Sequence, residues 1–200
     1  MMVVGRPESV WRYPIKSMRG ESLPEAYVSF AGVLGDRLYA VHHAGAPKAF
    51  PFLTARSRKE MLRFLPRFRR PELTRAPGNL TDAETRGPGL TPLFPSSDDL
   101  ALEIEAPNGK VLSASDPALP GLIGGDQLSA SDLTIIRSDR AMTDCRPLSL
   151  LATQTIDGIG RAVGLALDKR RFRENLYVDL NSAASFAEDA SAGNCGSVRN

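Results

Sequence analysis

The sequence predicts a mainly β fold of the α+β class, with few helices. Short stretches with the extended or alternating pattern of strands recur along the 200 residues. Residues 100–112 alternate apolar and polar side chains around Asn108-Gly109, which is typical of a β-hairpin. Helical spacing is clear only over residues 57–68 and 153–163. Many short strands with few helices favour an antiparallel, β-rich architecture.

The first elements are predicted to be short strands joined by turns. Val10–Tyr13 has the pattern of a strand, and Pro14 ends it. Residues 26–30 predict a second strand. Residues 34–36 contain a glycine and predict a turn, after which residues 37–41 resume an extended course.

A helix is predicted from Ser57 to Phe68. Ser57 and Glu60 have the spacing of a capping box at its start, and Pro66 limits its length. Four apolar residues share one face: Met61, Phe64, Leu65 and Phe68. Residues 71–98 are rich in Pro, Gly, Thr and Asp and predict a long loop.

The second half of the chain begins with the predicted hairpin, whose Asn108-Gly109 suits a type I′ turn. Leu133–Ile136 and Leu176–Leu180 predict two further strands. Thr153–Val163 predicts a helix with Thr153 as its N-cap. We expect two domains, residues 1–95 and 96–200, although the hairpin at residues 100–112 could belong to either of them.

Composition excludes several classes of protein. The 25 basic and 23 acidic residues give a net charge of +2, which is too balanced to indicate nucleic-acid binding. No apolar run approaches the roughly 18 residues of a membrane span. Two cysteines, Cys145 and Cys195, form no disulfide framework, so we expect a reducing, cytoplasmic compartment. The two histidines cannot build a His-rich zinc site.

Two groups of residues are candidates for binding an anion. Lys16 and Ser17 follow the first strand, and Arg37 follows a turn, so a point charge, a hydroxyl and a guanidinium are available for a phosphate. A solvated turn at Lys16-Ser17 and an ion pair at Arg37 are the ordinary alternatives. Arg173 and Asn175 follow a basic run at the entry of a strand; a solvated basic loop is the alternative there.

Together these segments resemble the MOSC family with an N-terminal β-barrel domain, the group that includes the mitochondrial amidoxime reducing component. Six segments stand in the order of that family: residues 11–17, 32–37, 53–56, 146–151, 171–176 and 186–189. The resemblance implies an N-terminal β-barrel-like domain at 1–95 and a MOSC domain at 96–200 that is incomplete at its C-terminus.

The resemblance also implies roles for individual residues. Lys16, Ser17 and Arg37 would bind the phosphate and pterin of the molybdenum cofactor, and Arg173 and Asn175 would lie at the same cofactor. Glu174 stands where the family has a proline, which loosens the loop and adds a negative charge.

The implied chemistry is removal of oxygen from small N-hydroxylated substrates at molybdenum. Electrons would come from a separate iron–sulfur or haem protein, because this chain has no cysteine set for its own cluster. The same anion site suits a non-catalytic module that binds pyridoxal phosphate or carries sulfur, and this alternative stays open.

The expected molybdenum ligand is a cysteine of an Arg-Cys motif that lies beyond the chain end. The residues after Asp189 depart from the Trp-Val-Gly strand of the family, and back-translation with one permitted codon choice restores part of it. We therefore hypothesise a frameshift near Asp189. A non-functional fragment is the third interpretation.

Overall fold

The structure, a computed structural model, describes residues 4–82, 93–138, 142–144 and 146–192. Two compact units emerge from the contacts within the chain. The terminal unit consists of Met1–Trp11, Ser22–Pro24 and Leu148–Asn200, and the central unit of Arg12–Glu21 and Glu25–Pro147. Cys145, Cys195 and the tail after residue 192 lie outside the described residues. The domain boundary between residues 95 and 96 stays a prediction.

The described elements are mostly short strands. The strands are β1 (Gly5–Arg12), β2 (Glu21–Leu23), β3 (Val28–Ser29), β4 (Gly32–Val33), β5 (Tyr39–His43), β6 (Leu65–Phe68), β7 (Leu102–Glu105), β8 (Val111–Ser113), β9 (Leu133–Arg137), β10 (Leu150–Ala152) and β11 (Leu176–Leu180). The α-helices are α1 (Ser97–Leu100), α2 (Leu119–Gly124), α3 (Thr153–Val163) and α4 (Ala187–Ala192). Single 3₁₀ turns span Lys59–Arg63, Pro71–Thr74, Ala130–Asp132 and Lys169–Arg171. The predicted mainly β class with few helices is confirmed.

The terminal unit contains a four-stranded sheet in the order β10-β11-β1-β2. Strands β1 and β11 are antiparallel, from Gly5 opposite Leu180 to Val10 opposite Leu176. Strands β10 and β11 are parallel, and α3 connects them. A parallel pair needs such a crossover, because the chain must return to the end of the sheet where the first strand began before the second strand can run in the same direction.

The start of α3 differs from the sequence prediction. Ala152, not Thr153, is the N-cap of α3, and its side chain makes no capping hydrogen bond. The carboxylate of Glu188 instead accepts hydrogen bonds from the Ala152 N–H at 3.1 Å and from the Thr155 hydroxyl at 2.9 Å. The bounds of α3 and β11 agree with the predicted ones.

The central unit has its own hydrophobic core. Strands β5 and β9 pair antiparallel, from Tyr39 opposite Arg137 to His43 opposite Leu133. Strands β6, β7 and β8 form a second antiparallel sheet. One continuous cluster of buried apolar side chains fills the unit and includes Ile15, Leu38, Met61, Phe64, Ile104 and Ile123.

The predicted helix over residues 57–68 is wrong. Lys59–Arg63 is a 3₁₀ turn whose N-cap is Arg58, without a side-chain cap, and β6 follows it. Pro66 cannot donate a helical hydrogen bond, and it lies in β6 opposite Ile104. Met61 and Phe64 are nevertheless buried in the core. The sequence therefore predicted the burial of these two side chains correctly, but not the conformation of their backbone.

Two loop predictions also change. The hairpin of β7 and β8 is present, but its loop has three residues, 107–109, rather than a two-residue type I′ turn. The Ala106 N–H bonds to the Lys110 carbonyl at 2.8 Å, and Gly109 takes the positive φ of 81°. Residues 71–98 are not wholly loop, because the Pro71–Thr74 turn and the start of α1 lie there. Among the described residues, no helix is long and apolar enough to cross a bilayer.

Candidate functional site

Lys16 and Arg37 lie on neighbouring backbone segments of the central unit. Ile15 and Tyr39 form a parallel bridge, and the Lys16 N–H donates to the Tyr39 carbonyl at 2.8 Å. The Arg37 N–H donates to the Tyr13 carbonyl at 2.7 Å. The sequence alone does not predict that the backbones of these two segments pair.

Ser17 and Arg37 both adopt a left-handed backbone, with φ of 66° and 46°. The Met18 N–H bonds to the Ile15 carbonyl at 3.2 Å, so Ser17 is the third residue of a turn at a position that favours glycine. Arg173, in the terminal unit, also has a positive φ of 60°. Residues held in this region without being glycine concentrate at functional sites.

The ammonium of Lys16 is almost fully enclosed, since its side chain is only 6% exposed. The Nζ atom lies 5.4 Å from the centre of the Phe50 ring and 5.7 Å from that of Phe52. It donates to the Met142 carbonyl at 2.9 Å and forms an ion pair with Asp144. The side chain of Asp144 is 68% exposed, so a buried cation faces a carboxylate at the surface.

The guanidinium of Arg37 contacts Tyr13 and Asp36. It stacks on the ring of Tyr13, 4.9 Å from the ring centre, and forms an ion pair with Asp36. The Asp36 side chain is fully buried, and its other oxygen accepts the Tyr13 N–H at 2.8 Å. Because Asp36 is bonded on both sides, the direction of the Arg37 side chain is fixed.

A short segment, residues 142–144, bonds to the backbone of Arg37 and to the ammonium of Lys16. The Met142 N–H donates to the Arg37 carbonyl at 3.0 Å, while the Met142 carbonyl and the Asp144 carboxylate accept hydrogen bonds from the ammonium of Lys16. Lys16 is therefore paired with Asp144, as Arg37 is paired with Asp36.

In the terminal unit, Asn175 is 1% exposed and its side chain connects two neighbouring segments. Its amide Nδ2 donates to the Trp11 carbonyl at 3.2 Å, and its Oδ1 accepts the Ser149 hydroxyl at 3.2 Å. Its backbone carbonyl accepts the Trp11 N–H at 2.7 Å. These bonds make Asn175 a residue that positions the start of β11; its contact with a cofactor stays a prediction.

The loop that carries Arg173 is closed by Tyr177. The Tyr177 hydroxyl donates to the Lys169 carbonyl at 2.6 Å and accepts the Glu174 N–H at 3.2 Å. A proline at position 174 would have no N–H for this bond. Glu174 therefore gains a backbone hydrogen bond where the resemblance suggested only a looser loop.

A neighbouring ion pair anchors the same loop to β1. The ammonium of Lys169 contacts both carboxylate oxygens of Glu8, at 2.7 and 2.5 Å, and the Ser9 hydroxyl at 2.9 Å. Hydrogen bonding to Lys169, and then to Ser9, lowers the pKa of Glu8 from its ordinary value.

The predicted site residues thus fall into two groups, each described within its own unit. Lys16, Ser17 and Arg37 belong to the central unit, while Arg173 and Asn175 belong to the terminal unit. Sequence reasoning missed Asp144, which lies 128 residues from Lys16, and the pair Phe50 and Phe52. Their one local signal was the Phe-Pro-Phe spacing just before residues 53–56.

The donor set suits an oxyanion better than a metal ion bound by protein side chains alone. An ammonium, a hydroxyl and a guanidinium are phosphate-binding groups. Within the described part of the chain, no three His, Cys, Asp or Glu side chains cluster closely enough to hold a metal.

Comparison with known proteins assigns the family. The family model of the MOSC N-terminal beta barrel domain matches residues 4–115, which is more than half of the chain. This match includes Lys16, Ser17 and Arg37, and it ends before Arg173 and Asn175. No curated protein matches the chain. The chain belongs to the family of the MOSC N-terminal β-barrel domain.

Proposed function

We propose that this chain binds the molybdenum cofactor by its phosphate, in a reductase of the MOSC type. MOSC domains are associated with this cofactor. The observation that carries the proposal is the arrangement at Met142–Asp144, where the ammonium of Lys16 and the backbone of Arg37 meet one short segment. Among the described residues the acidic partner of this buried cation is exposed, so an incoming anion can exchange with it from the solvent side.

The residues of the chain would perform distinct tasks in holding the phosphate. Lys16 supplies a point charge that Phe50 and Phe52 shield from water, which strengthens its attraction for an anion. Arg37 supplies a fork of donors whose direction Asp36 and Tyr13 fix in advance. Ser17 supplies a hydroxyl from a strained turn.

Arg173 and Asn175 are proposed as the second group of cofactor residues. The left-handed φ of Arg173 and its buried Nη2 atom support a constrained position for this side chain. Asn175 would act by holding the loop, because its amide is already bonded to Trp11 and Ser149.

When bound, the cofactor would supply two-electron chemistry for small N-hydroxylated substrates. The N–O bond breaks, and the oxygen leaves as water after uptake of two electrons and two protons. We propose that a separate iron–sulfur or haem protein delivers the electrons and that the compartment is the reducing cytoplasm. Lys16 and Arg37 take no part in the redox step; they bind and orient.

Cofactor retention tests this proposal. The double variant Lys16→Ala/Arg37→Ala is purified beside the wild type and beside the control Lys59→Ala/Arg63→Ala, which removes two exposed cations from the 3₁₀ turn. We expect pterin and molybdenum in the wild type and in the control, and loss of both from the double variant. Equal retention in all three proteins would refute the phosphate role of Lys16 and Arg37.

The same preparation distinguishes the alternative anion module. Pyridoxal phosphate bound in place of pterin, with binding that depends on Lys16 and Arg37, would assign the site to the non-catalytic module. Activity on an N-hydroxylated base that requires molybdenum would exclude that module.

A further inference from the structure

We propose that Asp144 is a built-in competitor of the ligand phosphate at Lys16, and thereby sets how tightly the site binds an anion. The inference rests on the proposed function, because it concerns the same ammonium. It adds a residue that lies outside the family match at residues 4–115.

The Lys16 ammonium has both uncharged and charged neighbours among the described residues. The Phe50 ring, the Phe52 ring and the Met142 carbonyl lie around Nζ, and none of them carries a charge. Asp144 pairs with the ammonium through its carboxylate. Since the Asp144 side chain is 68% exposed and that of Lys16 is 6% exposed, the carboxylate stands on the solvent side of the ammonium.

Asp144 is also the carboxylate that can leave. The other carboxylate of the site, Asp36, is fully buried and accepts the Tyr13 N–H, so its displacement would strand a buried donor. An exposed carboxylate that turns away recovers its hydration, and the incoming oxyanion takes its place, so the buried ammonium of Lys16 is not left without a counter-charge.

Charge pairing explains why Asp144 must turn away. With Asp144 in place, its carboxylate already neutralises the ammonium of Lys16, and a phosphate would gain little from that cation. With Asp144 turned into solvent, the ammonium is available to the phosphate. The displacement costs the same for every anion, so Asp144 lowers the affinity of the site for all of them by one factor.

Calorimetric titration of the full chain with inorganic phosphate tests the inference. The proteins are the wild type, Asp144→Asn, Lys16→Met and the double variant, with Asp126→Asn as the control for net charge at another exposed carboxylate. Asp144→Asn should bind phosphate about two- to fivefold more tightly than the wild type, because a competing ion pair with one exposed partner is removed. The gain should vanish in the Lys16→Met background, and Asp126→Asn should match the wild type.

A second ligand tests whether Asp144 acts by displacement. Dimethyl phosphate, a monoanion, should gain affinity from Asp144→Asn by the same factor as phosphate does. Thermal melting of each variant verifies that it folds.

The outcomes separate the two proposals. Lys16-dependent phosphate binding that Asp144→Asn leaves unchanged or weakens would overturn the competitor role and leave the phosphate site standing. An equal gain from Asp126→Asn would also overturn it, since net charge alone would explain the result. Phosphate binding that is absent throughout, or indifferent to Lys16, would overturn the proposed function and this inference together.

Discussion

The buried carboxylate of Asp36 accepts the backbone N–H of Tyr13 at 2.8 Å, across 23 positions of sequence. Through its second oxygen the same carboxylate pairs with Arg37, which stacks on the Tyr13 ring. One side chain therefore joins the segment before Lys16 to the turn that carries Arg37. The position of both cations depends on this carboxylate.

Replacement of Asp36 should reveal that dependence. Asp36→Ala leaves a buried N–H and the Arg37 guanidinium without their acceptor, and should lower the free energy of unfolding by about 3 kcal/mol. Asp36→Asn keeps an oxygen for Tyr13 and should lose less. Urea denaturation measures both. A loss for Asp36→Ala no larger than that of the exposed control Asp126→Ala would contradict the role.

Ser17 allows backbone strain and phosphate binding to be measured apart. Ser17→Gly and Ser17→Ala both delete the hydroxyl, but only glycine tolerates the φ of 66° without strain. We expect the glycine variant to be more stable than the alanine variant by about 1 kcal/mol. Both variants should bind phosphate more weakly than the wild type, and to the same extent. Wild-type affinity in both variants would remove Ser17 from the site.

Asn175 should act on the structure around Trp11, the one tryptophan of the chain. Asn175→Ala deletes the bonds to the Trp11 carbonyl and the Ser149 hydroxyl, and should destabilise the protein by about 2 kcal/mol. Intrinsic fluorescence follows the change directly at Trp11. Ser149→Ala, which removes part of the same network, should show a smaller effect in the same direction. An unchanged emission and stability would favour a direct ligand contact instead.

The ion pair of Glu8 with Lys169 predicts a dependence of stability on pH. The pKa of Glu8 is lowered in the folded state, so the folded protein favours the ionised carboxylate. Its contribution is present above the ordinary value of 4.5 and is lost as the pH falls through the folded pKa. The difference in unfolding free energy between the wild type and Glu8→Gln should therefore shrink on acidification.

The matched control for this measurement is Glu25→Gln, at an exposed carboxylate of the central unit. This variant also removes one negative charge, but it leaves the ion pair of Glu8 and Lys169 intact. A difference for Glu8→Gln that stays constant, or that grows as the pH falls, would contradict the assigned shift of its pKa.

Elements defined by local pattern were predictable from the sequence. The helix Thr153–Val163 and the strand Leu176–Leu180 have the predicted bounds. In both, the local periodicity favours the same secondary structure as the packing against neighbouring elements. The segment 57–68 failed because its spacing suits a helix, while its strand partner β7 lies far along the chain. Pairing with a distant strand determines the backbone conformation of residues 65–68, and local sequence propensity does not reveal that pairing.

The same limit explains the site. Lys16, Ser17 and Arg37 could be chosen as phosphate-binding residues from their chemistry and order alone. Asp144 could not, because only the folded chain brings it to Lys16. Glu188 is a similar case: its motif was visible in the sequence, but its hydrogen bond from the N–H of Ala152, the N-cap of α3, was not.

The most direct test of the central claim is a crystal structure of the full chain with phosphate, or with its heavier analogue tungstate, at the site. The account predicts an oxyanion within hydrogen-bond distance of Lys16 Nζ and the Arg37 guanidinium, with the Asp144 carboxylate turned into solvent. An oxyanion bound only elsewhere, beside an intact pair of Lys16 and Asp144, would contradict it.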